Sequence, residues 1–181
     1  MSDWELEELS RKIAYHFQDD TLLENALTHS SYANEHGLPY RSNNERLEFL
    51  GDAFFDAVIA EKLCQTLPQD EEGNLSKIRA SIVCEDSLLR KAEELALSSY
   101  IRLGVGEARS SRAFGYRAFE ADALEAVFGA VFLDGGCEEV RRVILNLFGD
   151  IIEDGLRGRL RKDYKSILQE KLQSVRPVRI E

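Results

Sequence analysis

An all-α helical bundle is the fold class that this sequence predicts. Apolar residues recur at helical spacing through most of the chain, and residues 1–154 show no convincing strand alternation and no internal repeat. Pro68 and the pair Gly135-Gly136 stand where the two most apolar helical patterns stop. A chain of 181 residues is long enough to form one main domain with its own core.

The helical patterns are separated by short polar segments. Asn43 or Asn44 can cap the long central pattern, and Pro68 ends it. In chain order the predicted helices are a short amphipathic helix through Leu6, Leu9 and Ile13, followed by helices over 20–27, 44–67, 75–84, 86–95, 121–133 and 140–154.

The longer polar segments are predicted as loops. Residues 28–42 (THSSYANEHGLPYRS) contain Gly, Pro and several side-chain donors. Residues 105–120 (VGEARSSRAFGYRAFE) are rich in Gly, Ser and Arg and are predicted to be mobile. Residues 97–104 (LSSYIRLG) are predicted to form an extended turn.

Several classes of protein are excluded by composition. No apolar run approaches the roughly 20 residues of a membrane span, so no membrane partner is expected. The acidic start, MSDWELEELS, lacks the basic and apolar parts of a signal peptide. Cys64, Cys84 and Cys137 are odd in number and lie in apolar or helical contexts. They predict reduced, buried thiols in a cytoplasmic protein, and neither disulfides nor a zinc site.

The charge of the chain is unevenly distributed. The net charge is −10, yet residues 155–181 carry eight Lys or Arg against three acids and are therefore +5, which leaves −15 on residues 1–154. An acidic body with a basic tail suits a metal-binding core followed by a polyanion-binding extension. Charge alone favours the simpler alternative, which is a solvated acidic surface with an exposed basic linker.

The segment NERLEFLGD, residues 44–52, places three acids among large apolar side chains. With Glu45 at zero on a helix, Glu48 falls near about 300° and Asp52 near about 340°. The opposite side of the same helix is apolar and carries Leu47, Leu50, Phe54 and Val58. This helix is apolar over most of its circumference, so we expect it at the centre of the bundle with its acids partly buried.

A second acidic stripe lies about 70 residues later in the chain. With Asp122 at zero, Glu125 falls near about 300° and Gly129 near about 340°. Gly129 costs roughly 1 kcal/mol of helix propensity relative to Ala, and its plausible benefit is the close approach of another backbone. Two helices therefore each offer an acidic stripe on an otherwise apolar surface.

Burying several like charges together needs compensation, and too few cations accompany these stripes to supply it. A divalent metal with oxygen ligands would compensate them, and Mg²⁺ or Mn²⁺ suits a site rich in carboxylates and free of thiols. Such a site favours hydrolysis of phosphate esters. The alternative is an acidic surface stripe whose spacing is accidental. No Gly-rich phosphate loop is present.

Among the three histidines only His29, in a Ser-rich segment, is a candidate for contact with the substrate. A structural or capping role for His29 is the alternative.

The chain resembles the ribonuclease III family at five places in family order. NERLEFLGD (44–52) looks like the signature of that family, and LTHSSYANE (27–35) resembles the segment that precedes it. EGNLSKIRASIV (72–83) and ADALEAVFGAVFLDGG (121–136) are similar to the segment after the signature and to the second acidic helix. DYKSILQEKLQ (163–173) resembles the opening helix of the double-stranded-RNA-binding domain that follows the nuclease domain.

This resemblance implies an all-α ribonuclease III endonuclease domain and specific roles for its acids. The catalytic and metal-binding carboxylates are matched by Glu48, Asp52, Asp122 and Glu125. Asp52 and Glu125 are the residues expected to act in catalysis. Glu45 and Glu72 match supporting acids of the catalytic valley, and Phe49 matches a residue of the dimer interface. The implied cofactor is Mg²⁺, for which Mn²⁺ can substitute.

The resemblance also implies the organisation of the chain. Residues 1–154 are expected to form the endonuclease domain, 155–162 a linker, and 163–181 an N-terminal fragment of the RNA-binding domain, because its later strands and basic helix do not follow. The fragment would contact the minor groove of RNA through Ser166, Gln169, Glu170 and Gln173.

One departure from the family pattern concerns the start of the second acidic helix. The family often has small apolar residues before its second catalytic Asp, whereas RAFEAD places Phe119 and Glu120 there. Glu120 is interpreted as a surface substitution, and an extra acid near the site is the alternative.

The expected function is that of a Mg²⁺-dependent endoribonuclease that cuts double-stranded RNA as a homodimer. Staggered cuts would leave 5′-phosphate and 3′-hydroxyl ends with short 3′ overhangs, in substrates such as ribosomal RNA precursors. Water would be the nucleophile, with no covalent enzyme intermediate. Two alternatives are an all-α nucleotide pyrophosphohydrolase, which also uses paired acids on bundle helices, and a non-catalytic module that binds RNA or ribosomes.

Overall fold

The computed structural model describes residues 3–39, 41–114 and 117–160, and these residues are helical with no β-strand. Ser166, Gln169, Glu170 and Gln173 lie outside the described residues. The helices are α1 (Asp3–Lys12), α2 (Asp20–Ala26), α3 (Ser30–Glu35), α4 (Glu45–Thr66), α5 (Glu72–Ile82), α6 (Glu85–Leu95), α7 (Val105–Phe114) and α8 (Ala118–Leu156). A short 3₁₀ helix, Leu97–Ser99, lies between α6 and α7, and one isolated bridge pairs Thr28 with Arg102. The all-α prediction is confirmed.

The core is built around α4 and α8. The rings of Phe55, Phe128 and Phe148 are fully buried and lie with centroids 4.6 to 6.1 Å apart. Ile59 of α4 and Leu124 of α8 are also fully buried. Helices α2, α5 and α6 pack against α8, α5 also packs against α4, and α1 packs against α2. The expectation that the acidic helix α4 is central in the bundle is thus met.

Helix α8 joins two segments that the sequence predicted as separate helices. Gly136 has φ +81° and ψ −173°, which is not a helical conformation, so two helical segments meet there at a kink and the second runs to Leu156. Asp134 holds the segment between α1 and α2 beside this kink. Its carboxylate accepts hydrogen bonds from Tyr15 Oη (2.7 Å) and from the backbone N–H groups of Gln18 and Asp19. The prediction that the first of these segments ends at the Gly pair is confirmed, because the backbone leaves the helical conformation at Gly136.

Two segments predicted as loops contain helices. Residues 30–35 form α3 because the His29 side chain accepts a hydrogen bond from the Ser31 N–H at the start of the helix. Residues 105–114 form α7, whose first N–H groups, on Val105 and Gly106, donate to the Glu35 carboxylate. The loop prediction was wrong for both segments because each helix is capped by contacts that polar composition alone does not reveal.

The cysteine prediction was also wrong in part. Cys64, Cys84 and Cys137 are unpaired, as expected for reduced thiols, but all three are exposed. Cys64 lies on the solvent side of α4 next to the buried Leu63, and Cys84 precedes the first residue of α6. An apolar neighbourhood in sequence does not bury a residue when its own helical face points outward.

Candidate metal centre

The acidic helices α4 and α8 cross at two glycines. A Cβ placed on Gly51 would overlap the backbone carbonyl of Glu125, and a Cβ on Gly129 would overlap the backbone carbonyl of Leu47. The two helix backbones are therefore in direct contact beside the acidic stripes. The close approach expected at Gly129 is confirmed, whereas the matching role of Gly51 was not predicted from the sequence.

This crossing brings three of the predicted ligands together. Glu48, Asp122 and Glu125 each offer a carboxylate oxygen, and these oxygens lie within 4.8 Å of one another. All three side chains are half-buried. We call these residues the acidic cluster. The two stripes predicted on separate helices are thus one arrangement in space.

The other predicted acids, Asp52, Glu45 and Glu72, do not belong to this cluster. Asp52 is exposed one turn after Glu48, and its charge acts on both Glu48 and Glu125. Glu45 is exposed and acts on Glu48. Glu72 is exposed at the first position of α5, where its carboxylate accepts a hydrogen bond from Ser76 Oγ at 2.7 Å.

The electrostatics of the cluster show an excess of negative charge. Burial, followed by the charges of Asp52, Glu48, Asp122 and Asp56, raises the pKa of Glu125 to about 8. Burial and the charges of Asp122, Glu45 and Asp52 raise the pKa of Glu48. Burial also raises the pKa of Asp122, which nearby His29 opposes and Glu85 reinforces.

The donor set of the cluster fits a divalent cation. All three ligands are carboxylates, which Mg²⁺ and Mn²⁺ prefer, and neither a thiol nor an imidazole belongs to the group. Within the described residues no Lys or Arg forms an ion pair with these three carboxylates. Burial and the neighbouring carboxylates disfavour the charged forms of Glu48 and Glu125, and a bound cation would offset both effects.

His29 has the capping role, one of the two that the sequence left open. Its Nδ1 lies 2.8 Å from Ser31 Oγ and accepts from the Ser31 N–H, so the ring caps α3. The same ring lies close enough to Asp122 to offset part of the rise that burial causes in the pKa of that carboxyl. The capping role is confirmed, and contact with substrate stays a prediction.

Two acids near the cluster were missed. Asp56 acts on Glu125, and Glu85, the first residue of α6, acts on Asp122. Asp56 is also 3.7 Å from Arg79 of α5. Asp56 could have been found, because it follows Asp52 by one helical turn on the same stripe. No local pattern links Glu85 to Asp122.

Phe49 projects from α4 into solvent. Its side chain is 80% exposed, the largest value among the exposed large apolar residues that the structure describes. The residue lies between Glu48 of the cluster and the crossing at Gly51. Exposure is what a residue of a subunit interface would show in a single chain.

None of the helices among the described residues combines the length and apolar character that a bilayer span requires.

Solved structures show which class of protein has this architecture. The nuclease domain of ribonuclease III from Campylobacter jejuni matches with a TM-score of 0.73 at 39% identity, over 80% of this chain and 96% of that one. Dicer from Pichia stipitis matches with a TM-score of 0.58 at 22% identity, a likeness of fold alone. The fold and the acidic cluster define an all-α nuclease domain.

Sequence relatives identify the family. The family described as ribonuclease-III-like matches residues 19–151. Ribonuclease 3 of Caldanaerobacter subterraneus subsp. tengcongensis is 52% identical over 167 residues, which are 92% of this chain and 72% of that protein. Ribonuclease 3 of Symbiobacterium thermophilum is 47% identical over 161 residues, 89% of this chain and 67% of that protein. The chain belongs to the ribonuclease III family and is a ribonuclease III enzyme, an endoribonuclease.

Proposed function

We propose that the chain is a Mg²⁺-dependent endoribonuclease that hydrolyses double-stranded RNA. It cuts structured transcripts such as ribosomal RNA precursors and leaves 5′-phosphate and 3′-hydroxyl ends with short 3′ overhangs. The observation that carries this proposal is the acidic cluster, in which Glu48, Asp122 and Glu125 meet within 4.8 Å at the crossing of α4 and α8. The relatives named Ribonuclease 3 support the assignment of an RNA substrate.

The cation would be held by Glu48, Asp122 and Glu125, with Asp52 one turn away on α4. When bound, it supplies the positive charge that stabilises the attacking and leaving oxygens of the phosphodiester. Mn²⁺ has the same preference for oxygen ligands and is expected to substitute for Mg²⁺. Without compensation the cluster would repel the substrate phosphate, so we expect activity to require the cation.

The chain's own side chains have distinct roles in this proposal. Asp52 and Glu125 lie nearest to the reacting phosphate, and their carboxylates accept hydrogen bonds from the attacking water and orient it. Glu45 and Glu72, exposed at the first positions of α4 and α5, support the arrangement of water and substrate at its edge. His29 lies next to Asp122 and is assigned to RNA contact.

The enzyme is proposed to act as a homodimer in the cytoplasm. Phe49 forms part of the subunit interface, as its 80% exposure in the single chain suggests. A structure of the Campylobacter jejuni nuclease domain concerns flexibility in a region involved in dimer formation, which supports a dimer here. Two sites related by a two-fold axis would cut opposite strands. Ser166, Gln169, Glu170 and Gln173 would add contacts to the RNA minor groove.

Cleavage of a labelled RNA duplex in Mg²⁺ tests the proposal, with Glu125→Gln as the decisive variant. Loss of the Glu125 charge removes one of the three clustered ligands, so we expect cleavage to fall by about 100-fold or more. Glu138→Gln is the matched control, because Glu138 is an exposed acid on the same helix beyond the kink.

Equal cleavage by the wild-type protein and Glu125→Gln would refute the site. Absence of cleavage by the wild-type protein in both Mg²⁺ and Mn²⁺ at low salt would refute the function. The low-salt condition matters because phosphate contacts weaken steeply as salt rises.

A further inference from the structure

Glu120 is a buried acid that does not belong to the acidic cluster. Its side chain is 4% exposed, and it is the third residue of α8. Around the helix it lies roughly 140–200° from Glu125 and Asp122. That direction is shared by Leu124 and Val127, which are fully buried. Glu120 is therefore neither a surface substitution nor an extra acid of the site, and both earlier interpretations are corrected.

The charge of Glu120 is compensated by Arg117, the residue that precedes α8. Arg117 Nε donates to Oε1 of Glu120 at 2.8 Å and Nη2 donates to Oε2 at 2.6 Å, which is a bidentate pair. Arg117 Nη1 also lies 3.7 Å from Oε2 of Glu93 on α6. The guanidinium thus connects the first turn of α8 to a neighbouring helix.

We propose that Arg117 and Glu120 form a positioning pair that fixes the first turns of α8 and so directs Asp122 and Glu125 toward Glu48. Asp122 and Glu125 follow Glu120 by two and five residues on the same helix, so a rotation or shift of the first turn moves both carboxylates together. The proposal rests on the proposed role of the acidic cluster in binding a divalent cation.

The burial of Glu120 makes this pair different from an ordinary ion pair on a helix surface, while the Arg117 side chain is 40% exposed. Exposed pairs three or four residues apart contribute little to stability, and their loss would leave the site intact. Removing Arg117 alone would instead leave the Glu120 carboxylate buried without a partner on the core side of α8. Replacing both residues by apolar ones would leave no buried carboxylate without a partner. The single and double variants therefore have different expected effects.

The test measures Mn²⁺ affinity by calorimetry on folded protein, together with kcat and KM for duplex RNA. Arg117→Met is expected to weaken Mn²⁺ binding about 10- to 100-fold and to lower kcat with little change in KM. Adding Glu120→Leu to Arg117→Met is expected to restore most of both losses. Arg157→Met is the matched control, because Arg157 pairs with Glu153 at the far, exposed end of α8.

The proposal would be overturned if Arg117→Met bound Mn²⁺ and turned over RNA as well as the wild-type protein does. It would also be overturned if the double variant lost as much Mn²⁺ affinity and kcat as Arg117→Met. If Arg117→Met does not fold, Arg117→Lys replaces it, since it keeps the charge and loses the bidentate geometry. Arg117→Lys is then expected to bind Mn²⁺ more weakly than the wild-type protein, and unchanged affinity would overturn the proposal. A wild-type protein that binds Mn²⁺ but does not cut duplex RNA would refute the proposed function, while the Mn²⁺ comparison would still decide this inference.

Discussion

The pKa of Glu125 shows how burial and neighbouring negative charges act on the acidic cluster. Burial and the charges of Asp52, Glu48, Asp122 and Asp56 raise this pKa to about 8. A carboxyl with a raised pKa binds its proton more tightly in the folded protein than in the unfolded chain. Its contribution to stability is complete below its ordinary pKa of 4.5 and is lost as pH rises through about 8.

Because the pKa of Glu125 is raised, the metal-free protein is expected to lose stability as pH rises. In the presence of a chelator, the melting temperature of the wild-type protein should fall between pH 5 and pH 8.5. The fall should be several degrees larger than that of Glu125→Gln, because the Gln side chain cannot ionise. Scanning calorimetry at both pH values measures the difference, with Glu138→Gln expected to behave as the wild-type protein. Parallel pH profiles for Glu125→Gln and the wild-type protein would contradict the assigned pKa.

Much of the site could be predicted at the scale of residues because helical geometry is local. Spacings of three and four residues are enough to align Glu48 with Asp52 and Asp122 with Glu125. The burial of Glu120 was missed, although the same geometry places it on the apolar side of α8 with Leu124 and Val127. Its charge favoured a surface position, and the pairing with Arg117, three residues earlier, is what allows the carboxylate to be buried.

The crossing of α4 and α8 is the element-scale feature on which the site depends. Gly51 and Gly129 each face a backbone carbonyl of the other helix. Because a side chain at either position would separate the helices, it would also separate Glu48 from Asp122 and Glu125. A side chain at either glycine would therefore lower the stability of the protein and disturb the arrangement of the cluster.

Alanine at the crossing should be costly, in contrast to alanine elsewhere in α8. Gly51→Ala and Gly129→Ala are each expected to lower the free energy of unfolding by about 1–3 kcal/mol and to reduce cleavage. Gly149→Ala is the matched control, since nothing lies within 4 Å of its added Cβ, and it should stabilise the helix by about 0.5–1 kcal/mol. Urea unfolding measures all three. A similar effect at the three positions would contradict close backbone contact at the crossing.

Elements held by distant contacts were the ones that sequence patterns missed. Helix α7 begins where Glu35, about 70 residues earlier, accepts from its N–H groups, and Gly104 N–H donates to Ser31 Oγ at 3.0 Å. By contrast, α4 and α6 are amphipathic or apolar over three turns or more, and both were predicted within a few residues. Long periodic helices can be read locally, whereas short ones depend on tertiary partners.

At the scale of the whole molecule, Phe49 links the site to the proposed dimer. Phe49, a large apolar side chain beside the acidic cluster, is 80% exposed and so buries little of its area against the described part of its own chain. Covering it against a second subunit would bury apolar area and place two clusters on one assembly. The active unit would then be the dimer.

Phe49→Ser is expected to weaken the dimer while leaving the helical content unchanged. Sedimentation velocity over a range of concentrations measures the monomer–dimer equilibrium, which should shift toward the monomer by about tenfold or more, as for loss of an interface anchor. Leu133→Ser is the control, because Leu133 is another exposed apolar residue, 53% accessible on α8. An unchanged dimer in Phe49→Ser, or equal weakening by both variants, would remove Phe49 from the interface.

The central claim is that Glu48, Asp122 and Glu125 together hold a catalytic divalent cation, and anomalous scattering tests it most directly. Crystals soaked in Mn²⁺ should show an anomalous difference peak bounded by these three carboxylates, and crystals of Glu125→Gln should lose it. A protein that cuts duplex RNA in Mn²⁺ yet shows no peak at the acidic cluster would contradict the account.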